Sequence, residues 1–302
     1  MVSSVTLRRP MPKAVILGIG YSATPFAQQL VEKGWSVWAT TRDEEKAAAL
    51  GAQGIDPILW TAPDSLPSSL IQQADLFVVS LAPTDEGCPA LAAMPQQGVM
   101  AGSRCLYLSS SGVWIDEETV CVPHTDRGHR RLAAEQGWEA FAAQHGMRLT
   151  LCRLAGIYGP KRNALASLKG DTRGARAGLS QRVIKPGQVF NRIHRDDIAA
   201  GLMALVGKDV LPKKVNFADD LPTPPQDVIT YAASLLGIPP PPEVPFEKAA
   251  LSPMARSFYA DNKRLRNDRL KELLGGSLLY PTYREGLEAL FRLESAFGYP
   301  RP

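Results

Sequence analysis

The chain has 302 residues, of which 45% are hydrophobic and 21% are charged, and its formal net charge is +4. This length is enough for one large domain and a smaller part, and the composition is ordinary for a globular protein. So mild a charge argues against nucleic-acid or membrane binding. No apolar run is long enough to span a bilayer, and the start lacks the apolar core of a signal peptide, so we expect a cytoplasmic protein.

A glycine-rich turn lies between the first predicted strand and the first predicted helix. Residues 14–17 are a short apolar run, and GIGYSA at 18–23 fits the pattern G-x-G-x-x-G/A in this setting. Gly18 permits the sharp turn, Gly20 lets the backbone approach a pyrophosphate, and Ala23 lets helix and strand pack closely. The helix N-terminus presents free N–H groups to the phosphates. We therefore predict a dinucleotide-binding site here, the alternative being a structural turn.

The end of the second predicted strand, residues 35–39, gives a clue to the cofactor. An NAD site usually has an acidic residue there, whereas this chain has Thr41 and Arg42. A guanidinium suits the 2′-phosphate of NADP. The alternative is an arginine solvated beside the acidic residues 43–45. We favour NADP, and NAD stays open.

The following segments alternate between strand and helix patterns. Predicted strands lie at 58–60, 74–83, 104–109 and 148–153, and predicted helices at 44–50 and 126–145. This alternation predicts an α/β fold, a Rossmann-type doubly wound parallel sheet. In such a sheet ligands bind beyond the carboxyl ends of the strands, so Ser80, Leu81 and Ala82 are candidate cofactor walls or a simple strand end.

Several pieces of the chain together resemble one family. They are GIGYSA, YLSSSGVW, CRLAGIYGP, RIHRDDIA and the tail NKRLRNDRLKELLG with YPTYREGLEAL, so the resemblance extends from about residue 13 to residue 291. The chain resembles the extended or atypical short-chain dehydrogenase/reductase superfamily, in its epimerase/dehydratase-like branch. It is most similar to an uncharacterised bacterial group with a G-x-G-Y-x-A turn and a PTYREGL tail.

The resemblance implies a catalytic site that this chain only partly retains. The family's catalytic Ser or Thr falls on Ser110, but its Tyr-x-x-x-Lys falls on Arg127 and Arg131. Arg131 can still hold a ribose or phosphate oxygen, whereas a guanidinium at 127 does not exchange a proton near neutral pH. We expect the usual proton relay to be absent. The residues considered as a replacement acid are Tyr158, Tyr21, His124 and His129.

The expected site residues follow from these arguments. Those assigned to catalysis are Ser110, Tyr158 and Arg131, with packing as the alternative for Tyr158. Those assigned to the cofactor are Gly18, Gly20, Tyr21, Ser22, Ala23, Thr41, Arg42, Ser80, Leu81, Ala82, Ser109, Arg131, Leu154, Ala155 and Gly156. We expect no metal, because Cys88, Cys105, Cys121 and Cys152 form no C-x-x-C pair and resemble buried or incidental thiols.

The second half of the chain predicts a smaller lobe. Residues 164–187 are rich in Gly and include Arg173, Arg176, Arg182 and Lys185, as in a mobile loop that grips an anionic substrate or in a plain surface loop. Residues 189–193 predict a strand and 195–205 a helix, with His194, Asp196 and Asp197 in a mainly structural role. Residues 215–218 predict the last strand of the sheet, and helices are predicted at 226–236, 262–274 and 283–297 among Pro-rich connections.

The expected organisation is a dinucleotide-binding Rossmann domain and a substrate-covering lobe. The domain comprises 13–163 and 189–218, the lobe 164–188 and 219–300, and residues 1–12 form a loose extension. We expect an NADP-binding oxidoreductase-like or epimerase-like protein, a monomer or homodimer, acting on a small molecule such as a nucleotide sugar or carbonyl compound. The alternative is a non-catalytic NAD(P)-binding sensor or partner-binding protein. A serine hydrolase is disfavoured, because no G-x-S-x-G motif surrounds Ser110.

Overall fold

The computed structural model describes residues 11–62, 64–95, 97–110, 116–118, 122–123, 125–170, 179–260 and 262–296. The strands are β1 Lys13–Leu17, β2 Ser36–Thr41, β3 Asp56–Leu59, β4 Leu76–Val79, β5 Arg104–Ser110, β6 Arg148–Leu154, β7 Gly156–Tyr158, β8 Arg182–Ile184, β9 Arg192–His194, β10 Lys214–Phe217 and β11 Glu243–Pro245. The helices are α1 Ala23–Glu32, α2 Glu44–Gly51, α3 Ser68–Ile71, α4 Pro89–Ala92, α5 Asp126–His145, α6 Ala164–Lys169, α7 Arg195–Val206, α8 Pro225–Leu236, α9 Pro253–Ser257, α10 Asp268–Leu273 and α11 Tyr283–Ala296.

The main sheet confirms the predicted α/β class. Its seven described strands lie in the order β10-β6-β5-β4-β1-β2-β3. β1 pairs in parallel with both β2 and β4, so the strand order reverses direction there. In a doubly wound fold, this reversal leaves a ligand-binding crevice beyond the carboxyl ends of the two strands. The glycine turn follows β1 directly and therefore begins at this point.

The chain divides into two compact units. Unit 1 comprises Met1–Leu108 and Arg130–Leu151, and unit 2 comprises Ser109–His129 and Cys152–Pro302. Unit 1 is built around a cluster of buried side chains that includes Val15, Phe77, Tyr107 and Trp138. Unit 2 has a cluster that includes Tyr158, Leu165, Val228, Tyr283 and Leu287, and a smaller one around Val183 and Tyr259. The predicted boundaries of the Rossmann domain and the lobe stay a prediction.

Helix α1 shows how local sequence sets an element. Phe26, Ala27 and Leu30 recur at helical spacing and are fully buried. Gly34 then adopts φ +81°, and its N–H donates to the Val31 carbonyl at 2.9 Å. A left-handed residue after the last turn is how glycine ends a helix, so the predicted end is confirmed.

The predicted helix at 262–274 is wrong in its first half. Helix α10 begins only at Asp268, and the preceding residues run as an irregular segment held by asparagine side chains. The Asn191 side chain accepts from the Leu265 N–H at 2.9 Å and donates to the Lys263 carbonyl at 2.9 Å. Asn267 donates to the Ala218 carbonyl at 2.9 Å. Asn191 thus satisfies backbone groups that a helix would satisfy locally, and Asn267 ties the end of the segment to a distant residue.

The predicted basic loop at 164–187 also needs correction. It contains α6 at its start and β8 near its end, and β8 pairs in parallel with β11. Arg182 donates to the Pro241 carbonyl and to the Thr230 hydroxyl, each at 2.7 Å, and Lys185 donates to the Tyr259 carbonyl. These two cations therefore hold the fold of unit 2. Arg173 and Arg176 lie outside the described residues.

Cys88, Cys105 and Cys152 are free and buried, as predicted, and Cys121 lies outside the described residues. Burial raises the pKa of the Cys105 thiol above its ordinary range. Within the described part of the chain, no helix combines the length and apolar character needed to cross a membrane.

Candidate functional site

Gly18 begins the glycine turn and can be replaced by no larger residue without strain. Its φ is +82°, and a Cβ built on it would lie 2.6 Å from Leu81 Cδ2. Leu81 follows β4, so the turns after β1 and β4 meet side by side within unit 1. The Ser80 N–H donates to the Leu17 carbonyl at 2.9 Å and holds this arrangement. The turn after β1 and the turn after β4 are therefore fixed against each other.

Thr40 on β2 fastens the turn from the other side. The Gly18 N–H donates to Thr40 Oγ1 at 2.7 Å, and the Ile19 N–H donates to the Thr40 carbonyl at 3.0 Å. Thr40 is 2% exposed, so water does not compete for these bonds. They consume the first two N–H groups of the turn within the protein. The backbone that a ligand can reach therefore starts at Gly20.

Gly20 faces open space in unit 1. A Cβ built on it would meet only Ser80 Oγ, at 4.0 Å, and its φ is not left-handed. Neither crowding within the protein nor backbone strain therefore requires glycine here. Ser22 precedes α1 without capping it through its side chain, and Ala23 is fully buried. An uncapped helix start beside a glycine with open space is the arrangement that accommodates a phosphate.

Arg42 stands exposed just beyond β2, and no described residue forms a hydrogen bond or ion pair with its guanidinium. Its neighbour Asp43 instead caps α2 by accepting from the Lys46 N–H at 3.0 Å. The Asp43 N–H in turn donates to Thr41 Oγ1 at 3.2 Å. The geometry thus leaves Arg42 available to a ligand beyond the end of β2.

A second cation reaches the turn from α2. The Lys46 ammonium donates to the carbonyl of Ile19, inside the glycine turn, and the side chain is partly buried. Lys46 therefore adds positive charge beside the backbone of the glycine turn. The expected wall residues Ser80 and Leu81 are partly buried after β4, whereas Ala82 is exposed.

Arg131 lies on α5 in unit 1 and is oriented by β5. Its Nη1 donates to the Tyr107 hydroxyl at 3.1 Å and contacts the Leu108 carbonyl at 3.5 Å. Burial raises the pKa of Tyr107 to about 12, and the positive charge of Arg131 opposes that shift. The pair is thus a fixed cation with a neutral tyrosine, which suits holding an oxygen more than moving a proton.

The other residues of the expected catalytic region belong to unit 2. Ser110 is the last residue of β5 and is partly buried, and Ser109 before it is buried. Arg127 is exposed, with its guanidinium 5.1 Å from the centre of the Phe258 ring. His129 is exposed on α5, and its N–H donates to the Thr125 carbonyl at 2.9 Å. His124 and residues 111–115 lie outside the described residues.

The segment after β6 is fixed by backbone contacts within unit 2. Leu154 and Ala155 are buried, and the Ala155 N–H donates to the Phe217 carbonyl at 2.9 Å. The Gly156 N–H donates to the Asn191 carbonyl at 3.0 Å, and a Cβ on Gly156 would lie 3.0 Å from that same oxygen. Glycine at 156 therefore has a packing reason, and cofactor contact by these three residues stays a prediction.

The contacts of Tyr158 are those of a packing residue. It is 7% exposed, and its hydroxyl donates only a long bond, 3.4 Å, to the Thr282 carbonyl. A Cβ built on Gly286 would come within 2.8 Å of the ring, so α11 approaches it closely. Burial, followed by the charges of Asp219 and Asp197, raises its pKa far above the ordinary value. These features favour the packing alternative over proton transfer.

A group of buried titratable residues in unit 2 has a structural role, as expected for His194 and Asp197. His194 Nδ1 accepts from the Asp196 N–H at 3.2 Å and caps α7. Asp197 accepts from the N–H groups of Leu279 at 2.6 Å and Tyr280 at 3.2 Å. Burial raises the pKa of Asp197 to about 6 and lowers that of His194 to about 4.

Sequence reasoning missed Thr40, Lys46 and Tyr107 as parts of this site. Thr40 carries a hydroxyl inside an apolar strand, which is a usable signal, whereas Lys46 looks like any charged residue on a helix.

Within the described residues, no group of three or more His, Cys, Asp or Glu side chains is arranged to hold a metal ion.

Comparison with known proteins places the chain in a family. It is 41% identical to a functionally unknown conserved protein from Silicibacter pomeroyi DSS, covering 93% of this chain and 99% of that one with a TM-score of 0.81. The chain therefore belongs to the same family as that protein. No family model matches the chain.

Two further proteins are less similar to this chain, one in its fold and one in the sequence of part of its length. UDP-glucuronic acid 4-epimerase from Bacillus cereus, solved in complex with NAD, has a TM-score of 0.70 at 15% identity over 94% of this chain and 99% of that one. The chain thus has the fold of an NAD-binding epimerase. Protein YeeZ from Escherichia coli K12 is 27% identical over 181 residues, which span 54% of this chain and 65% of YeeZ.

Proposed function

We propose that unit 1 binds NADP at the glycine turn and that the chain is an oxidoreductase-like or epimerase-like enzyme of the atypical short-chain dehydrogenase/reductase type. The observation that carries the proposal is Gly20, a glycine that neither crowding nor strain requires, beside an uncapped helix start. An epimerase that shares the fold was solved with NAD bound, which supports a dinucleotide at the same turn.

The preference for NADP rests on two cations. Arg42 has no described partner and stands where the adenine ribose is expected, and Lys46 brings an ammonium to the Ile19 carbonyl. A 2′-phosphate offers both side chains a doubly charged acceptor, whereas the 2′-hydroxyl of NAD offers neither an ion pair.

Fluorescence titration of the full chain with NADPH and NADH tests this preference. Arg42→Ala is expected to weaken NADPH about 10- to 100-fold and to leave NADH within about threefold, because a charge-assisted bond to phosphate is lost. Lys33→Gln removes a positive charge at the far end of α1 and serves as the matched control. Equal weakening of both cofactors by Arg42→Ala contradicts the 2′-phosphate contact.

The proposed chemistry uses Ser110 and Arg131. The nicotinamide, when bound, accepts or donates a hydride. Ser110 would donate a hydrogen bond to the reacting oxygen of the substrate, and Arg131, held by Tyr107, would bind a ribose or phosphate oxygen. The substrate class we propose is a nucleotide sugar or another small carbonyl compound. We further propose a cytoplasmic monomer or homodimer.

Turnover of such substrates tests the assignment of Ser110. NADPH oxidation across a carbonyl panel and epimerisation of UDP-sugars are the assays, and Ser110→Ala is expected to lower kcat at least 100-fold through loss of a hydrogen bond in the transition state. Cofactor affinity should stay unchanged. Turnover that persists in Ser110→Ala would remove this residue from the site.

A second candidate function is a non-catalytic NAD(P)-binding sensor. The positions of the family's Tyr and Lys hold Arg127, which contacts Phe258, and Arg131, which is bound to Tyr107. Neither guanidinium exchanges a proton near neutral pH. NADPH binding without turnover on any substrate of the two panels would favour this candidate.

A further inference from the structure

Unit 2 contains a cavity of about 270 Å³ that the proposed function does not use. Its lining includes Tyr158 on β7, Arg192 on β9, Ile229 and Val228 on α8, and Tyr283 and Leu287 on α11. Most of this lining is hydrocarbon. Small-molecule sites typically combine mostly apolar walls with a small number of polar groups.

Arg192 is the charged group among the described residues that line this cavity, and only part of its guanidinium is used by the protein. Its Nη1 donates to the Phe190 carbonyl at 2.9 Å and to the Thr223 carbonyl at 3.1 Å. Among the described residues, none accepts from Nε or Nη2, and no carboxylate forms an ion pair with the side chain. The edge of the guanidinium formed by Nε and Nη2 is therefore available to a ligand.

A desolvated cation without an ion pair is unfavourable in a folded protein. Burial lowers the pKa of the Arg192 guanidinium, and the charge of Asp219 is the largest of the influences that oppose this shift. Charges in such positions are ordinarily paired, because desolvation costs several kcal/mol. The protein leaves this pairing incomplete at the wall of a cavity.

Tyr283 adds another polar group to the lining, beside Ser167, whose hydroxyl donates to the Asn163 carbonyl at 2.9 Å. Tyr283 is 2% exposed, and its hydroxyl has no hydrogen-bond partner among the described residues. The Tyr158 hydroxyl is directed to the Thr282 carbonyl instead. The cavity thus combines a guanidinium and one phenolic hydroxyl with the side chains of Val228, Ile229 and Leu287.

We propose that this cavity binds a small organic carboxylate. The carboxylate would pair with Nε and Nη2 of Arg192, a planar fork that matches two carboxylate oxygens. The apolar body of the ligand would lie against Val228, Ile229 and Leu287. The cavity is slightly smaller than the smallest typical ligand pockets, which have about 300 Å³. The ligand is therefore limited to about the size of benzoate or hexanoate. The inference involves unit 2 alone, so it does not depend on the cofactor site.

Calorimetric titration of the full chain with benzoate, hexanoate, benzamide and inorganic phosphate tests the inference. Benzoate or hexanoate is expected to bind at least tenfold more tightly than benzamide, which lacks the charge, and than phosphate, which lacks the apolar body. If neither carboxylate binds, or if phosphate binds as tightly, the proposal is overturned. NADPH titrated in parallel reports on unit 1, so failure of one site is distinguishable from failure of the other.

Three variants locate the binding. Arg192→Gln is expected to weaken benzoate at least tenfold, and Ile229→Trp, which fills the cavity and keeps Arg192, should do the same. Arg269→Gln is the matched control, since Arg269 pairs with Glu118 at 2.6 Å elsewhere in unit 2. Should Arg192→Gln fail to fold, Ile229→Trp decides alone. Unchanged affinity in Ile229→Trp, or loss in Arg269→Gln, overturns the assignment.

Discussion

Gly18 and Gly20 belong to one turn but are glycines for different reasons. Gly18 has a left-handed φ of +82° and lies against Leu81, so the fold itself needs it. Gly20 has neither constraint. A residue that the protein alone does not require points to a partner outside the protein, here the pyrophosphate expected at such turns.

The two glycines predict opposite outcomes on substitution by alanine. Gly18→Ala is expected to cost about 1–3 kcal/mol of unfolding free energy, because of strain and the Leu81 contact. Gly20→Ala should leave stability equal or raise it by about 0.4–1 kcal/mol, yet weaken NADPH at least about tenfold. Urea unfolding and NADPH titration measure the two effects. A Gly20→Ala protein that binds NADPH normally would argue against a pyrophosphate at this turn.

At the scale of elements, α11 packs on β7 through a missing side chain. Because Gly286 on α11 has no side chain, the Tyr158 ring packs directly against it. A Cβ built on Gly286 would lie 2.8 Å from the ring and nearer still to the hydroxyl. Tyr283 and Leu287 flank this contact in the buried cluster of unit 2. A small residue on a helix therefore sets how closely the strand and helix approach.

This contact predicts coupling between the two positions. Gly286→Ala is expected to destabilise the chain by about 1–3 kcal/mol through overpacking, and Tyr158→Phe alone by less than about 1 kcal/mol. The double variant should recover part of the loss, because the phenol oxygen nearest the added methyl group is gone. A double-mutant cycle in urea measures this coupling. Additive losses would contradict the proposed contact.

For the whole molecule, buried acids make stability depend on pH. Asp219 is 1% exposed, and burial raises its pKa to about 7. Its Oδ1 accepts from the Leu221 N–H at 3.2 Å, and no described residue donates to Oδ2. The folded chain therefore holds a proton there at pH values where the unfolded chain has lost it. Such a group lowers stability as the pH rises from about 4 to about 7.

Asp197 and His194 also make the stability depend on pH, in opposite directions. Asp197, with its pKa raised to about 6, acts in the same sense as Asp219 up to that pH. His194, with its pKa lowered to about 4, acts oppositely between about 4 and 6.5, since the unfolded chain binds the extra proton. Of the three groups, Asp219 is thus the one that still lowers the stability as the pH approaches about 7.

Replacing Asp219 by asparagine isolates its contribution. Asp219→Asn keeps an oxygen for the Leu221 N–H and cannot ionise, so its stability relative to the wild type should increase between about pH 4 and pH 7. We expect a gain of about 1–3 kcal/mol, which levels off above about pH 7. Urea unfolding at a series of pH values measures it. A constant difference across this range would contradict a raised pKa for Asp219.

The amino-acid sequence by itself determined most of the elements and the glycine turn. Apolar periodicity, the glycines of the turn and Gly34 act within a few residues, so the α/β class and helix α5 could be predicted from local pattern alone. The start of helix α10 could not, because the segment before it is held by contacts with distant residues: Asn191 binds the Leu265 N–H, and Asn267 binds the Ala218 carbonyl.

Only the tertiary structure decided which side chains surround each site. Lys46 reaches Ile19 and Arg131 reaches Tyr107 across separate elements, and Arg192 meets a cavity formed by β7, α8 and α11. Tyr158, a candidate acid by its position in a loop-like stretch, packs against α11 because Gly286 leaves room for it. Contacts between distant residues depend on how elements pack, and no local pattern in the sequence encodes them.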